Sequence, residues 1–235
     1  MASTIQKFLA EVIGSFILVF FGTASVVITL NVSGGIVMAD WVAIGLAFGL
    51  ALTVAIYALG PVSGAHFNPA VTLGLWAGKK FPTSDVVPYV VAQFVGSLIA
   101  SAALILIAGV KYASTVGVLG GVGDLAGVGL LGIFITEFLG TALLMYCIMA
   151  AAVDGQAKDA ALSIGLVLTG IIVAIGGISG CGINPSRVFA PMIFNHILGT
   201  AAIDLGYFVV YMIAPIIGAI FAVYLFDFLK QEDAA

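Results

Sequence analysis

The sequence predicts an all-α membrane protein with six transmembrane helices, two re-entrant half-helices and an inverted internal repeat. Composition is the first reason. The chain has 235 residues, of which 63% are hydrophobic and 8% charged, and its mean hydropathy is +1.28. A soluble core of this size needs a charged surface that this sequence lacks. The second reason is length: apolar runs of about 20 residues, enough to cross a bilayer, can be placed six times. The third is a repeated motif. VSGAHFNPA in the first half returns as ISGCGINPS in the second, each in apolar surroundings.

The spans fall near residues 8–30, 40–60, 84–108, 130–152, 160–178 and 204–229, each about 20 residues or more. The first could be mistaken for a secretion signal, because Lys7 precedes an apolar run. That run continues to Leu30, contains Glu11, and exceeds an h-region of about 7–15 residues, so a membrane helix is the better reading. Two shorter stretches, near 68–78 and 184–195, follow the Asn-Pro steps and reach only about halfway across the bilayer. Asn suits a helix cap and Pro the first helical position. Non-helical backbone at membrane depth must be buried in protein or line a wet cavity, so the segments before Asn68 and Asn184 are expected to line one.

Ala10-Glu11-Val12-Ile13-Gly14-Ser15 resembles Thr136-Glu137-Phe138-Leu139-Gly140-Thr141, at the starts of spans one and four. Repeat one is therefore placed at about 5–108, repeat two at about 130–229, and a linker at about 109–129, within a single channel domain covering 1–235. Three spans per repeat force the second half to lie inverted, an architecture used in transport. The linker, rich in glycine, is expected outside, either as a plain connection or as part of a pore mouth. With the N-terminus inside, Lys7, Lys79, Lys80, Lys158 and Lys230 are cytoplasmic, against Lys111 alone in an external loop. This bias sets the orientation, with both termini cytoplasmic in the cell membrane.

Composition also excludes partners. A net charge of −4 and a pI near 4.8 offer no basic face to nucleic acid. Cys147, Cys181 and the two histidines lack metal-ligand spacing, so no metal site and no cofactor are expected. No nucleophile–base constellation supports an enzyme. Glu11 and Glu137 are intramembrane carboxylates, which raises a proton- or ion-coupled transporter as an alternative. The other reading gives them a structural task, accepting N–H groups from the re-entrant loops.

SGAHFNPAVT at 63–72 and GCGINPSR at 180–187, with Glu11, Glu137 and the glycine-rich second span, resemble the major intrinsic protein family of aquaporins and glycerol facilitators. The resemblance runs nearly end to end. It implies an aquaporin-like right-handed bundle, one pore per subunit, a homotetramer in the lipid bilayer, and passive conduction of water, with glycerol or a small neutral gas as alternative solute. It assigns the pore motifs to Asn68, Pro69, Ala70 and Asn184, Pro185, Ser186. Each Asn caps a half-helix with its side-chain oxygen and turns amide N–H toward the pore. A water between the two donors then offers its oxygen to both, which opposes proton hopping. Charge selection by a pore arginine and by half-helix dipoles is established for aquaporin-type pores. Ser186 replaces the family's common alanine with another small residue, so little functional change is expected.

The resemblance further makes Arg187 the selectivity-filter arginine, with Phe48, Ile172 and Cys181 as its companions by spacing from the motifs. Ile172 stands where water-selective members carry His, which leaves one wall apolar, and this set resembles the archaeal aquaporins. Carbonyls of Gly64, Ala65 and His66, and of Gly180, Cys181 and Gly182, are expected to form an acceptor ladder. Glycine suits backbone in unusual dihedrals. Val188 and Tyr211 lean toward water channels, Met212 away from them. Gly45 and Gly49 read as a close-packing motif.

Overall fold

The computed structural model describes residues 2–34, 36–109 and 118–230. Among the described residues the fold is all-helical. Six helices are long and apolar enough to cross a membrane: α1 (Thr4–Ser33), α2 (Asp40–Ser63), α4 (Thr83–Ala108), α5 (Gly129–Ile148), α6 (Ala160–Ser179) and α8 (Leu205–Lys230). Between them lie the half-helices α3 (Pro69–Ala77) and α7 (Pro185–Ile197).

The ends of these elements follow from local chemistry. α1 begins ahead of the expected residue 8 because Ser3 and Gln6 form a reciprocal capping box, which satisfies free N–H groups of the first turn. α2 runs past residue 60 through Pro61 and stops where Gly64 turns left-handed, its N–H returning to the Gly60 carbonyl. α6 ends the same way, Gly180 N–H donating to the Gly176 carbonyl. Both half-helices start on an Asn cap with Pro in the first turn. α5 is extended by a π-turn over Met149–Val153.

Polarity is reversed from a water-soluble fold. Leu50, Val54, Leu106, Leu139 and Phe221 face outward, whereas Glu11, Thr72, Gln93, Glu137 and Asn195 are buried. Helices apolar nearly all round suit lipid outside and protein inside. α1 packs on α2 and α4, and α5 packs on α6 and α8. The halves meet mainly where α2 crosses α6. There Gly45 and Gly49 leave no room for a Cβ against Thr169 and Gly165, and Thr169 Oγ1 donates to the Gly45 carbonyl at 3.1 Å. Each half-helix leans on the other half: α3 chiefly on α8, α7 chiefly on α4.

Charged groups gather at the end carrying both described termini. Lys7 pairs with Asp85 at 2.8 Å, Lys80 with Asp227 at 3.0 Å, and Lys230 with Asp154. Lys111 lies outside the described residues. The described part of the linker folds back over the opposite end of the bundle. Leu119 is buried against Val27 and Leu104, and Gly123 N–H and Leu125 N–H donate to the carbonyls of Ser179 and Ile178. Asp124 accepts from Val128 N–H, Gly129 N–H and the Tyr207 hydroxyl. Desolvation favours its neutral acid, but those donors, Gly129 and Val128 foremost, outweigh it and hold the carboxyl below its ordinary value. The linker is thus more than a connection: it covers the second re-entrant loop.

Candidate functional site: a channel with two capped half-helices at its centre

The two re-entrant loops are built by one scheme. Glu11 accepts from the Ser63 hydroxyl at 2.7 Å, His66 N–H at 3.0 Å, Phe67 N–H at 2.8 Å and the Gln93 amide at 2.8 Å. Glu137 accepts from the Ser179 hydroxyl at 2.7 Å, Gly182 N–H at 2.9 Å and Ile183 N–H. Both carboxylates are fully enclosed. A buried charge is tolerable only when hydrogen-bonded in this way. The hydroxyls of Tyr89 and Tyr211 brace the loops from behind by donating to the Ser63 and Ser179 carbonyls.

Left-handed dihedrals recur through both loops: φ is 85° at Gly64, 56° at Ala65 and 51° at Phe67, then 75° at Gly180, 50° at Cys181 and 39° at Ile183. Glycine alone does not carry the unusual backbone, because four side-chain-bearing residues are held there. Such residues persist at φ > 0 only when their surroundings over-determine them, and the carboxylate cradles do this. Gly182 is needed for space instead: a Cβ would meet Val188 at 2.7 Å and Tyr211 at 2.9 Å.

The half-helix caps meet head to head. Asn68 Oδ1 accepts from Ala70 N–H at 2.8 Å, and its Nδ2 donates across to the Ile183 carbonyl at 2.9 Å. Asn184 Oδ1 accepts from Ser186 N–H at 3.1 Å and Arg187 N–H at 3.3 Å, and its Nδ2 donates to the Phe67 carbonyl at 2.9 Å. Each amide therefore spends one N–H on the opposite loop and keeps one. Ser186 adds contacts that alanine could not make, to Asn184 Oδ1 at 2.9 Å and to Ser97 Oγ at 3.1 Å.

A cavity of about 380 Å³ passes these caps. Asn68, Asn184, Phe48, Ile172, Cys181, Arg187, Gly64, Ala65, His66 and Gly182 line it. Gly180 does not: it caps α6 and packs against Val122. Pro69, Ala70, Pro185 and Ser186 are buried in the first turns of the half-helices. Leu18, Leu144 and Leu168 supply apolar wall. Toward the end with the termini the lining continues to Lys80, Val153 and Ala160.

Arg187 is 3% exposed, its Nη1 donating to the Gly120 carbonyl at 2.8 Å and its Cζ lying 5.1 Å from the Phe48 ring centre. Among the described residues that carbonyl is the guanidinium's one acceptor; Nε is buried without a partner, and the residue lines the cavity. The Phe48 ring is seated against Gly22, where a Cβ would overlap it. Cys147 and Cys181 are both free thiols, Cys181 the buried one. Several of these partners were absent from the sequence reading: Gln93, Ser97, Tyr89, Gly22 and the Gly120 carbonyl. Ser63 and Ser179 had a signal, since each precedes its Asn by the same spacing.

Six membrane helices around a central cavity, with two half-helices ending inside it, define a multi-pass membrane channel. The family model described as Major intrinsic protein matches residues 1–226, and the chain belongs to that family. It is 43% identical to Aquaporin AqpM of Methanothermobacter thermautotrophicus, across 99% of this chain and 100% of that protein. It is 38% identical to Glycerol uptake facilitator protein-like 6 of Lactiplantibacillus plantarum, across 97% of this chain and 100% of that protein. Among solved structures, the aquaglyceroporin from Plasmodium falciparum matches with a TM-score of 0.86 at 26% identity, covering 99% of this chain and 100% of the other.

Proposed function

We propose that this chain is a passive water channel of the cell membrane, with both termini cytoplasmic and the linker outside, assembled as a homotetramer with one pore per subunit. Asn68, Asn184 and Arg187, converging on one apolar-walled cavity, carry this reading. Each Asn has a second amide N–H beyond the one bonded across, and both half-helix N-termini add positive potential at the same place. A water there accepts from both amides, so its own hydrogens point away from the centre on either side. A proton cannot hop along a file that reverses direction at its middle. Arg187 then repels cations nearer the external mouth, and loop carbonyls take the outward-pointing hydrogens.

Repeat one, about 5–108, and repeat two, about 130–229, each contribute one of these half-helices, with about 109–129 as the linker across the external mouth. An ion-coupled transporter is disfavoured by the surroundings of Glu11 and Glu137. Neither lines the cavity, and each is occupied by fixed donors. Passage of glycerol or another small neutral solute has one specific observation behind it: Ile172, with Phe48, leaves the constriction an apolar wall.

Stopped-flow light scattering on proteoliposomes tests the proposal, with sucrose and then glycerol gradients and a pH-sensitive dye inside. Water flux well above empty vesicles without acidification is expected. Flux equal to empty vesicles, from protein verified as folded, would refute the water channel. Proton entry through the pore would refute the exclusion mechanism.

A further inference from the structure

The two asparagine caps are not held alike. Among the described residues, Asn68 Oδ1 accepts from Ala70 N–H alone. Asn184 Oδ1 accepts from Ser186 N–H, Arg187 N–H and the Ser186 hydroxyl, the last being nearest at 2.9 Å. Ser186 Oγ in turn lies 3.1 Å from Ser97 Oγ on α4. Both serines are fully buried, and neither lines the cavity. The other half of the molecule shows that these hydroxyls come as a pair. Tyr89 and Tyr211 brace the two loops in the same way, and Ser97 follows Tyr89 by eight residues as Ala219 on α8 follows Tyr211. Ala70 holds the place beside Asn68 that Ser186 holds beside Asn184. Ala70 and Ala219 lie together in one apolar cluster, so alanines stand in one half where serines stand in the other.

The direction of donation follows from the acceptor at the end. Asn184 Nδ2 donates to the Phe67 carbonyl, so Oδ1 is the end facing α7, and it can only accept. Two oxygens 2.9 Å apart with no hydrogen between them repel, so Ser186 donates to Oδ1. With that proton spent, the contact between the two serines has a hydrogen only if Ser97 donates. Neither hydroxyl has another acceptor among the described residues. The order is therefore Ser97 to Ser186 to Asn184. Hydrogen bonds linked in this way polarise one another, so an amide whose oxygen is held by such a chain is a stronger N–H donor.

We propose that Ser97 and Ser186 are positioning residues that lock the Asn184 amide and strengthen its second N–H as a donor, so that the two asparagines hold a passing water unequally, Asn184 the more firmly. Neither serine touches the solute, and both act through Asn184. The consequence for water rests on reading the cavity as its path. Ser186 is thus more than a small residue in alanine's place.

Solid-state NMR of the protein in bilayers tests the proposal. Ile-Asn occurs once in the chain, at 183–184, so carbonyl-¹³C isoleucine with ¹³C,¹⁵N-asparagine singles out Asn184 and, through its own carbons, its Cγ and Nδ2. The carbonyl carbon and the nitrogen of an amide both move downfield when its oxygen accepts a hydrogen bond. Both signals are expected to move upfield in Ser186→Ala, and by less in Ser97→Ala. Ser97→Ala added to Ser186→Ala is expected to shift nothing more. An unmoved Cγ in Ser186→Ala overturns the proposal, and an unmoved Nδ2 beside a moved Cγ overturns the strengthened donation. An unmoved Cγ in Ser97→Ala, or a further shift in the double variant, overturns the role of Ser97. Ser101 is buried one turn further along the same face of α4, its hydroxyl without a partner among the described residues. A shift in Ser101→Ala as large as that in Ser97→Ala would reduce the effect to repacking and overturn the chain of donors. Water flux is measured separately on the same vesicles, so a protein that fails to conduct refutes the channel and leaves the hydrogen bonds to be judged by their own signals.

Discussion

Replacing Gly22 by alanine tests whether Phe48 sets the width of the constriction. A Cβ at residue 22 would stand 2.5 Å from Phe48 Cζ and nearer still to Cε1 and Cδ1. Ordinary carbon contacts begin near 3.5 Å, so the ring's nearest atom, at 2.1 Å, must retreat by about 1.4 Å. Gly22 belongs to α1, on one side of the ring, and the Arg187 guanidinium lies on the lumen side, 5.1 Å from the ring centre. Retreat from α1 therefore carries the ring toward the guanidinium and into the cavity that both residues line. If a passing water loses one hydrogen bond there, about 1–1.5 kcal/mol, its permeability falls roughly five- to tenfold. Glycerol, which is wider, should fall further. Overpacking also lowers stability by about 1–3 kcal/mol, so folding is checked by thermal melting and gel filtration before flux is compared. Phe48→Leu in the Gly22→Ala background should restore water flux, because the smaller side chain vacates the overlap. Full water flux and an unchanged glycerol-to-water ratio in a folded Gly22→Ala protein would refute the reasoning.

Three further predictions are local. Mercuric chloride should block most water flux in the native protein and in Cys147→Ser, because Cys181 lines the lumen; full sensitivity in Cys181→Ser would show that its thiol is not the one exposed there. Ile172→His should reduce glycerol flux about tenfold relative to water, the discrimination carried by about 1.4 kcal/mol of crowding, and an unchanged ratio in proteoliposomes would remove Ile172 from the filter. The Lys230 ammonium and the Gln156 amide hold the exposed Asp154 carboxyl below its ordinary range. That stability is present above the unfolded value, about 3.9, and is lost as pH falls through the folded one. Melting temperatures of native protein and Asp154→Asn should therefore differ by a small, salt-sensitive margin near neutral pH and converge in acid. A margin that persists at low pH would contradict the pairing.

The fold was legible because membrane helices announce themselves by length and apolar content, and because the Asn-Pro motif occurs twice. A single Asn-Pro step marks any helix start, whereas two at matched places in a repeat demand a common purpose. Glu11 and Glu137 were legible as carboxylates that needed donors, and the re-entrant N–H groups supply them. What escaped the sequence depends on contacts between distant segments. Nothing around Gln93 marks it as the bridge between Glu11 and Thr72. Nothing in a glycine-rich linker says that the Gly120 carbonyl will hold Arg187. Gly22 looks like any small residue on a membrane helix until the Phe48 ring is seated on it. The helix boundaries shifted for local reasons, chiefly the Ser3–Gln6 box and the passage of α2 through Pro61.

In the proposed function, charge exclusion and solute choice rest on differently supported parts of the structure. At the midplane each Asn side chain caps one half-helix and ties the opposite loop. Replacing either would loosen a half-helix start and free a buried carbonyl together, so the proposed proton barrier is bound to the integrity of the fold. The filter is assembled differently. Phe48 and Ile172 project from long helices that are fixed by packing elsewhere along their length, and neither holds a loop in place. Cys181 contributes its side chain from backbone already secured by the Ser179 hydroxyl. Width and polarity at the constriction can therefore change by single substitutions, while the paired amides below keep the same geometry. On the proposed reading, substitutions at the constriction change which neutral solute passes while the proton barrier at the paired amides stays in place.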